Sequence, residues 1–313
     1  MHIFKEFRIF SKITPKFKRR ITLKKIIIFI ISLMLLTAGG VFGEEMIATK
    51  QKYTKRVKRP SIQKLVPYQA YAVADAETGV VYEGLNIYEQ RPQASLTKIM
   101  LTAVVIDKVE RGEIQLTDIV KVPKKAERIR GTSVFLKAGE TFTLEELMQA
   151  ILVESANDAA HTVAEHISGS TDNFIVLMNL KAQSLGMTDT VFHSVHGLPP
   201  TKGERDNMTT CSDMIKLAQE VLKSSKIREW TSIESTTFRN GRISNHNKLL
   251  GRSPEIDGIK TGFTRRAGFN IVATGKNEAR RIIVVVLGSS IPKVRDAFAM
   301  NKFREYLLEE GGR

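Results

Sequence analysis

Apolar positions fall into distinct textures along this chain. Residues 26–43 are 18 uncharged, mostly apolar positions with no polar face. Residues 71–75 and 80–83 are short β-prone runs on either side of Glu77-Thr78-Gly79, the pattern of a hairpin. After Pro92 the period lengthens, and Leu96, Ile99, Met100, Ala103 and Val104 share one face of a helix that begins at Ser95. Thr143 followed by Glu146 is a capping box that opens a helix over residues 144–154. Helical spacing resumes over 158–167, 172–185 and 212–222, so Ser155-Ala156-Asn157 falls at a helix-to-helix junction. From Thr236 the texture returns to strands. Residues 256–260 form one that Lys260-Thr261-Gly262 is expected to end. Residues 269–274 and 282–287 form two more, joined across Lys276-Asn277 as a second hairpin. Residues 292–308 close the chain as a helix with Val294, Phe298, Phe303 and Leu307 available for packing. Strands at both ends with helices between them predict an α+β architecture in which one antiparallel sheet gathers the two ends of the domain.

Composition narrows the classes. The 313 residues are 42% hydrophobic and 26% charged, enough for a substantial core. A net charge of +15 suggests nucleic acid at first sight, but residues 1–64 hold 16 Lys and Arg against Glu6, Glu44 and Glu45. That segment carries +13 and leaves +2 for the rest, so no basic groove for DNA or RNA is expected. Cys211 is the lone cysteine, which excludes an internal disulfide. His161 and His166 are five apart without the His-Glu-x-x-His spacing of a metallopeptidase, so they are read as helix residues, and no metal or cofactor is expected.

Three short motifs carry the candidate chemistry: Ser95-Leu96-Thr97-Lys98, Ser155-Ala156-Asn157 and Lys260-Thr261-Gly262. Each is common alone; Ser-x-x-Lys recurs at Ser61 and at Ser290. In this order they describe a serine acyl-transfer site. A lysine three positions after a serine on a helix lies one turn away on the same face, where it can take the hydroxyl proton if it is itself neutral. Lys98 therefore needs a pKa far below 10.4, through burial or a neighbouring cation, and Lys260 is the candidate neighbour. Ser155 and Asn157 offer a hydroxyl and an amide for proton relay and for holding a substrate amide. Lys260 and Thr261 offer a cation and a hydroxyl for a substrate carboxylate, and Gly262 a place where a ligand can approach the backbone.

With these motifs the sequence resembles the serine D-alanyl-D-alanine carboxypeptidases, the low-molecular-mass penicillin-binding proteins. The likeness runs from about Tyr68 to Leu308 and includes Gly131-Thr132-Ser133, Leu136-Lys137-Ala138-Gly139-Glu140, Leu185-Gly186-Met187, His196-Gly197-Leu198 and Asn247-Lys248-Leu249-Leu250. It implies the penicillin-binding protein/β-lactamase-like fold, an antiparallel sheet flanked by helices with a mainly helical middle subdomain. It also implies that Ser95 is the nucleophile, Lys98 the general base, and Ser155 and Asn157 the second wall. Lys260, Thr261 and Arg295 would grip the substrate carboxylate, and the backbone N–H groups of Ser95 and Phe263 would hold the oxyanion. The substrates implied are peptidoglycan stem peptides, with β-lactams as covalent inhibitors.

Three positions depart from the family's common pattern. Ala156 stands where glycine is also frequent, Phe263 where histidine or tyrosine often follows the Lys-Thr-Gly, and the sequence stops at Arg313 without the β-rich domain many relatives carry. A β-lactamase would share the motif types, yet no Glu-x-x-Leu-Asn string lies between Asn157 and Lys260. A murein endopeptidase uses the same site, and these motifs do not separate it from a carboxypeptidase. A non-catalytic peptidoglycan-binding protein would not need Ser95 and Lys98 intact.

The leader decides where such an enzyme would work. Residues 1–25 form a basic cytoplasmic leader with nine Lys and Arg, residues 26–43 an apolar segment, 44–67 a basic tether and 68–313 the catalytic domain. As a helix the apolar segment spans about 27 Å, near the bilayer's hydrocarbon thickness. Positive charge before it keeps that end in the cytoplasm and exports the rest, to the outer face of the cytoplasmic membrane or the periplasm of a bacterial envelope. As a retained anchor it makes the full chain sediment with membranes and resist high-salt extraction, while a chain beginning near Val66 is soluble and active. A mature enzyme recovered in the soluble fraction with its N-terminus just after Gly40 or Gly43 would instead identify a cleaved signal peptide.

Overall fold

The computed structural model describes residues 67–199, 201 and 205–308. The basic leader, the apolar segment and the tether up to residue 66 lie outside the described residues. Among the described residues no helix is long and apolar enough to cross a membrane.

Five strands make the principal sheet: β1 (Ala70–Asp75), β2 (Val81–Leu85), β9 (Ile256–Thr264), β10 (Gly268–Lys276) and β11 (Arg281–Ser289). Their order is β2-β1-β11-β10-β9, antiparallel throughout, so the last strand of the chain lies against the first. The pairing sets Val73 opposite Val284 and Lys260 opposite Val272. Both faces are covered, which is why residues 282–287 read as an unbroken apolar run rather than an alternation. Val73, Ile271, Val284 and Val286 pack under α7 (Pro292–Phe303) with Ala299, Met300 and Phe303. The opposite face, with Ala72, Val272, Ile283 and Val285, joins the larger core built by the helices.

Those helices are α1 (Thr97–Glu110), α2 (Leu144–Gln149), α3 (Asn157–Ser168), α4 (Thr171–Ser184), α5 (Cys211–Lys223) and α6 (Ser225–Ser232). The capping box is present: Glu146 N donates to Thr143 Oγ1 at 3.2 Å and Thr143 N to Glu146 Oε2 at 2.7 Å. Beyond Gln149 the helix continues as a wider π turn, Ala150–Glu154, before Ser155 ends it in the left-handed region at φ 66°. Three small antiparallel pairs complete the middle: β3 (Arg91–Pro92) with β6 (Met208–Thr209), β4 (Ile119–Lys121) with β5 (Thr141–Thr143), and β7 (Ser235–Phe238) with β8 (Gly241–Ser244).

Two features differ from the sequence reading. Lys260-Thr261-Gly262 does not end its strand; β9 runs on to Thr264 because it pairs with β10 through Phe263 and Thr264. Ser95 lies in a 3-10 turn, Ala94–Leu96, and the α-helix begins at Thr97. Ala94 adopts φ 51°, a conformation that costs a side-chain-bearing residue about 1–2 kcal/mol, immediately before the serine.

The serine turn is clamped from two sides. A Cβ at Gly262 would stand 3.0 Å from Ser95 N and 2.9 Å from Gln93 O, so the glycine's lack of side chain lets the edge of the sheet reach the turn. On the other side Gly197, at φ 74°, approaches so closely that a Cβ would sit 1.9 Å from Ala94 O. Gly197→Ala is expected to lower stability by about 2–4 kcal/mol, combining the left-handed penalty with a backbone collision. Gly139, at φ 89° with nothing within 4 Å of its Cβ position, is the control: its change to Ala should cost only about 1–2 kcal/mol. Urea titrations of both variants give the comparison, and equal losses would remove the close approach as the cause.

Candidate active site

A cavity of about 340 Å³ opens between β9 and the helical half. The predicted residues Ser95, Ser155, Thr261, Gly262, Phe263 and Arg295 line it, together with Thr132, His246, Phe269 and Pro292. Lys98, Asn157 and Lys260 stand immediately behind, each at most 3% exposed. All nine residues singled out in the sequence therefore converge on one place, although they come from four separate stretches.

Lys98 Nζ lies 3.1 Å from Ser95 Oγ, 2.7 Å from Asn157 Oδ1 and 3.0 Å from the His196 carbonyl. The orientation of the Asn157 amide follows from its other end, where Nδ2 donates to Arg130 O at 3.0 Å. Two of the three neighbours of Lys98 can thus only accept. A neutral amine has two N–H groups and one lone pair, so the two carbonyl oxygens take both protons and the lone pair is left for the Ser95 hydroxyl. Complete burial holds the Lys98 pKa well below that of an ordinary lysine, and the charge of Lys260 lowers it further; Asp158 acts in the opposite sense. Among the described residues no carboxylate contacts Lys98 directly, and Asp158 is occupied elsewhere: Ser133 Oγ and the backbone N–H groups of Val134 and Leu136 donate to it at 2.5, 3.2 and 2.9 Å. That same network fastens the loop carrying Thr132 against α3. His196, beside Lys98, is kept neutral by burial with a pKa of about 3, so no second cation stands there.

Lys260 is the other buried lysine. Its Nζ donates to the Thr261 carbonyl at 3.2 Å. Burial first, then repulsion from Arg295, brings its pKa down to about 7, with Glu154 partly offsetting the effect. Arg295 is not a surface arginine of α7: it is 4% exposed, donates from Nε and Nη2 to Asp296 Oδ1 at 2.9 and 2.7 Å, and from Nη1 to Asn270 O at 3.2 Å. Phe263 is 52% exposed and stacks on Phe269 at 4.1 Å, forming an aromatic rim. Gly262 lines the cavity and also permits the approach of the serine turn described above.

Three participants escaped the sequence reading. Thr132 belongs to a motif quoted for its resemblance but given no role. His246, directly before Asn247, lines the cavity, with a pKa held below the ordinary imidazole value by burial and by Lys260. Glu154, directly before Ser155, faces His246 Nε2 at 3.7 Å. A charged residue next to a motif is the only signal the sequence offered for either. Among the described residues no group of His, Cys, Asp and Glu could hold a metal ion.

The family profile described as D-alanyl-D-alanine carboxypeptidase, peptidase S11, matches residues 55–290. D-alanyl-D-alanine carboxypeptidase DacF of Bacillus subtilis is 34% identical over 228 residues, 71% of this chain and 58% of that protein. DacC of Escherichia coli is 35% identical over 270 residues, 83% of this chain and 65% of that protein. The chain thus spans about three fifths of the length of these relatives. A D-alanyl-D-alanine endopeptidase of Haemophilus influenzae is 30% identical over 76% of this chain and 81% of its own. Among solved structures, penicillin-binding protein 6B of E. coli superposes with a TM-score of 0.71 at 31% identity, covering 76% of each chain. Penicillin-binding protein D2 of Listeria monocytogenes in its ampicillin-bound form gives 0.70 at 28% identity, over 79% of this chain and 99% of that one. The α+β fold is therefore that of the penicillin-binding proteins, and the chain belongs to the D-alanyl-D-alanine carboxypeptidase family, peptidase S11.

Proposed function

We propose that this protein is a serine-type D-Ala-D-Ala carboxypeptidase that removes the terminal D-alanine from peptidoglycan stem peptides through an acyl-enzyme. The observation that carries the reading is the hydrogen-bond arithmetic at Lys98, a buried amine whose one free lone pair faces Ser95 Oγ at 3.1 Å. Ser95 Oγ attacks the carbonyl carbon of the penultimate D-alanine as its proton passes to Lys98 Nζ. The C–N bond breaks, the departing amine takes a proton relayed through Ser155 or Lys98, and water then cleaves the ester. Backbone N–H groups of Ser95 and Phe263 stabilise the oxyanion. Lys260, Thr261 and Arg295 hold the terminal carboxylate, which fits a cavity end lined by Thr261 and Arg295. Asn157, whose Oδ1 accepts from Lys98, orients that base and the substrate amide.

β-Lactams acylate the same oxygen and are stranded there, a reading supported by the ampicillin-bound relative from Listeria. The work takes place in the cell envelope, with residues 26–43 serving either as a retained anchor at the outer face of the cytoplasmic membrane or as a signal peptide whose removal frees the enzyme into the periplasm. A second reading, a murein endopeptidase that cuts D-alanyl bonds in cross-links, is supported by the 30% identity to the D-alanyl-D-alanine endopeptidase of Haemophilus influenzae over 76% of this chain. Incubation with purified muropeptides followed by mass analysis separates the two. Loss of one D-alanine from pentapeptides is the expected result, and conversion of dimers to monomers would establish the second reading.

Ser95→Ala should abolish covalent labelling by a fluorescent penicillin, and persistent stoichiometric labelling would sink the assignment. Lys98→Ala should fold normally and acylate about 10³-fold more slowly, as expected for loss of a general base. The pH profile of kcat/KM should be bell-shaped. Its acid limb reports loss of the Lys98 proton as pH rises, and its alkaline limb, near 7, reports Lys260 losing the charge that binds the carboxylate. A rate that climbs steadily from about pH 6 to about pH 9 would show that Lys260 stays charged across that range.

A further inference from the structure

A second cavity, of about 470 Å³, opens beside the first, between the loop at Ser133–Phe135 and the β7–β8 hairpin. A thin partition separates the two. Thr132 and Ser155 face the first cavity, while their chain neighbours Ser133 and Glu154 face the second. His246 Nε2 and Glu154 Oε1 meet across it at 3.7 Å.

The charges that line this second cavity are unequally committed. Arg239 is fully engaged: it pairs with Glu140, donates to Val134 O at 2.9 Å and lies over the rings of Phe142 and Phe238. Arg242 is exposed, and its one hydrogen bond is from Nη2 to Ser235 Oγ at 2.8 Å, which leaves most of its five donors open. Glu154 Oε2 accepts from Ser244 N at 3.3 Å, whereas the 3.7 Å approach to Oε1 is too long for a hydrogen bond. Glu154 meets β8 at its edge, through the backbone N–H of Ser244, two residues along the strand from Arg242. A carboxylate whose Oε1 has only the 3.7 Å approach of His246 and a guanidinium with free donors therefore line one cavity without being paired to each other. Two like or neutral groups would suit a plain polar chain, but this pair complements a ligand group of both signs.

We propose that Glu154 and Arg242 form a specificity subsite for a substrate side chain ending in an amino-acid group, with Glu154 taking the ammonium and Arg242 the carboxylate borne on the same carbon. The inference rests on the peptidase reading of the Ser95 site, since that side chain belongs to the residue preceding the two D-alanines. Glu154 is partly shielded from water and stands one residue from Ser155, so discrimination there is felt at the acylation step.

Three N-acetylated tripeptides ending in D-Ala-D-Ala test it, with 2,6-diaminopimelate, lysine or side-chain-acetylated lysine in first place, assayed by D-alanine release. The wild-type kcat/KM should fall in that order, with free lysine preferred to acetyl-lysine by about 10-fold, the scale of a charge-assisted hydrogen bond. Glu154→Gln should bring the ratio of free to acetylated lysine to about 1, and Arg242→Ala should erase only the preference for diaminopimelate over lysine. A Glu154 that merely supports His246 or tunes Lys260 would change all three constants by one common factor, leaving the ratios intact, and that result overturns the subsite. Equal wild-type constants for the three peptides overturn it as well. Absence of D-alanine release from every peptide would instead overturn the peptidase reading beneath it.

Discussion

Everything in this site depends on burying two lysine side chains with no carboxylate in direct contact. Taking an ammonium out of water costs several kcal/mol unless an anion compensates, and the cheaper response is to give up the proton. Lys98 meets only oxygens of a hydroxyl, an amide and a carbonyl, and Lys260 meets one carbonyl. The acid nearest Lys98, Asp158, is saturated by loop donors and so serves structure more than charge. Desolvation thus favours Lys98 as the free base, and the surrounding core holds it in place.

That core also explains how the two halves cooperate. The sheet brings Lys260, Thr261 and Gly262 on one edge strand, and the helical half brings Ser95, Lys98, Ser155 and Asn157. The junction is tight because glycine occupies both positions nearest the serine turn, Gly262 on the sheet and Gly197 on the loop from the helical side. Arg281 reinforces the approach to the edge strand by a two-pronged pair with Asp257 at 2.8 and 2.7 Å.

Much of this was legible in the sequence, for identifiable reasons. Capping boxes and periodic apolar faces are local signals, so the helices around Leu144, Asn157 and Cys211 fall within a residue or two of expectation. The apolar run 282–287 announced a strand buried on both faces. The motifs converged because each chemistry needs a residue type that an ordinary core would exclude. Other features are non-local. That β9 continues past Gly262 depends on its pairing with β10. That Gly262 also packs against the backbone of the serine turn depends on Gln93, Ser95 and Leu96, far beyond the reach of any local pattern. His246 and Glu154 gain their place only when β8 folds over the end of the π turn.

The π turn at Ala150–Glu154 carries a consequence of its own. It winds one more residue into the helix than a regular α turn holds, and each residue of an α-helix advances the azimuth by about 100°. The aim of Ser155 and Asn157 is therefore a matter of phase: with one residue fewer, the same segment would close as a regular helix and present both to a different quarter of the molecule. Chain length in this stretch, and not only residue identity, is part of the candidate site's specification.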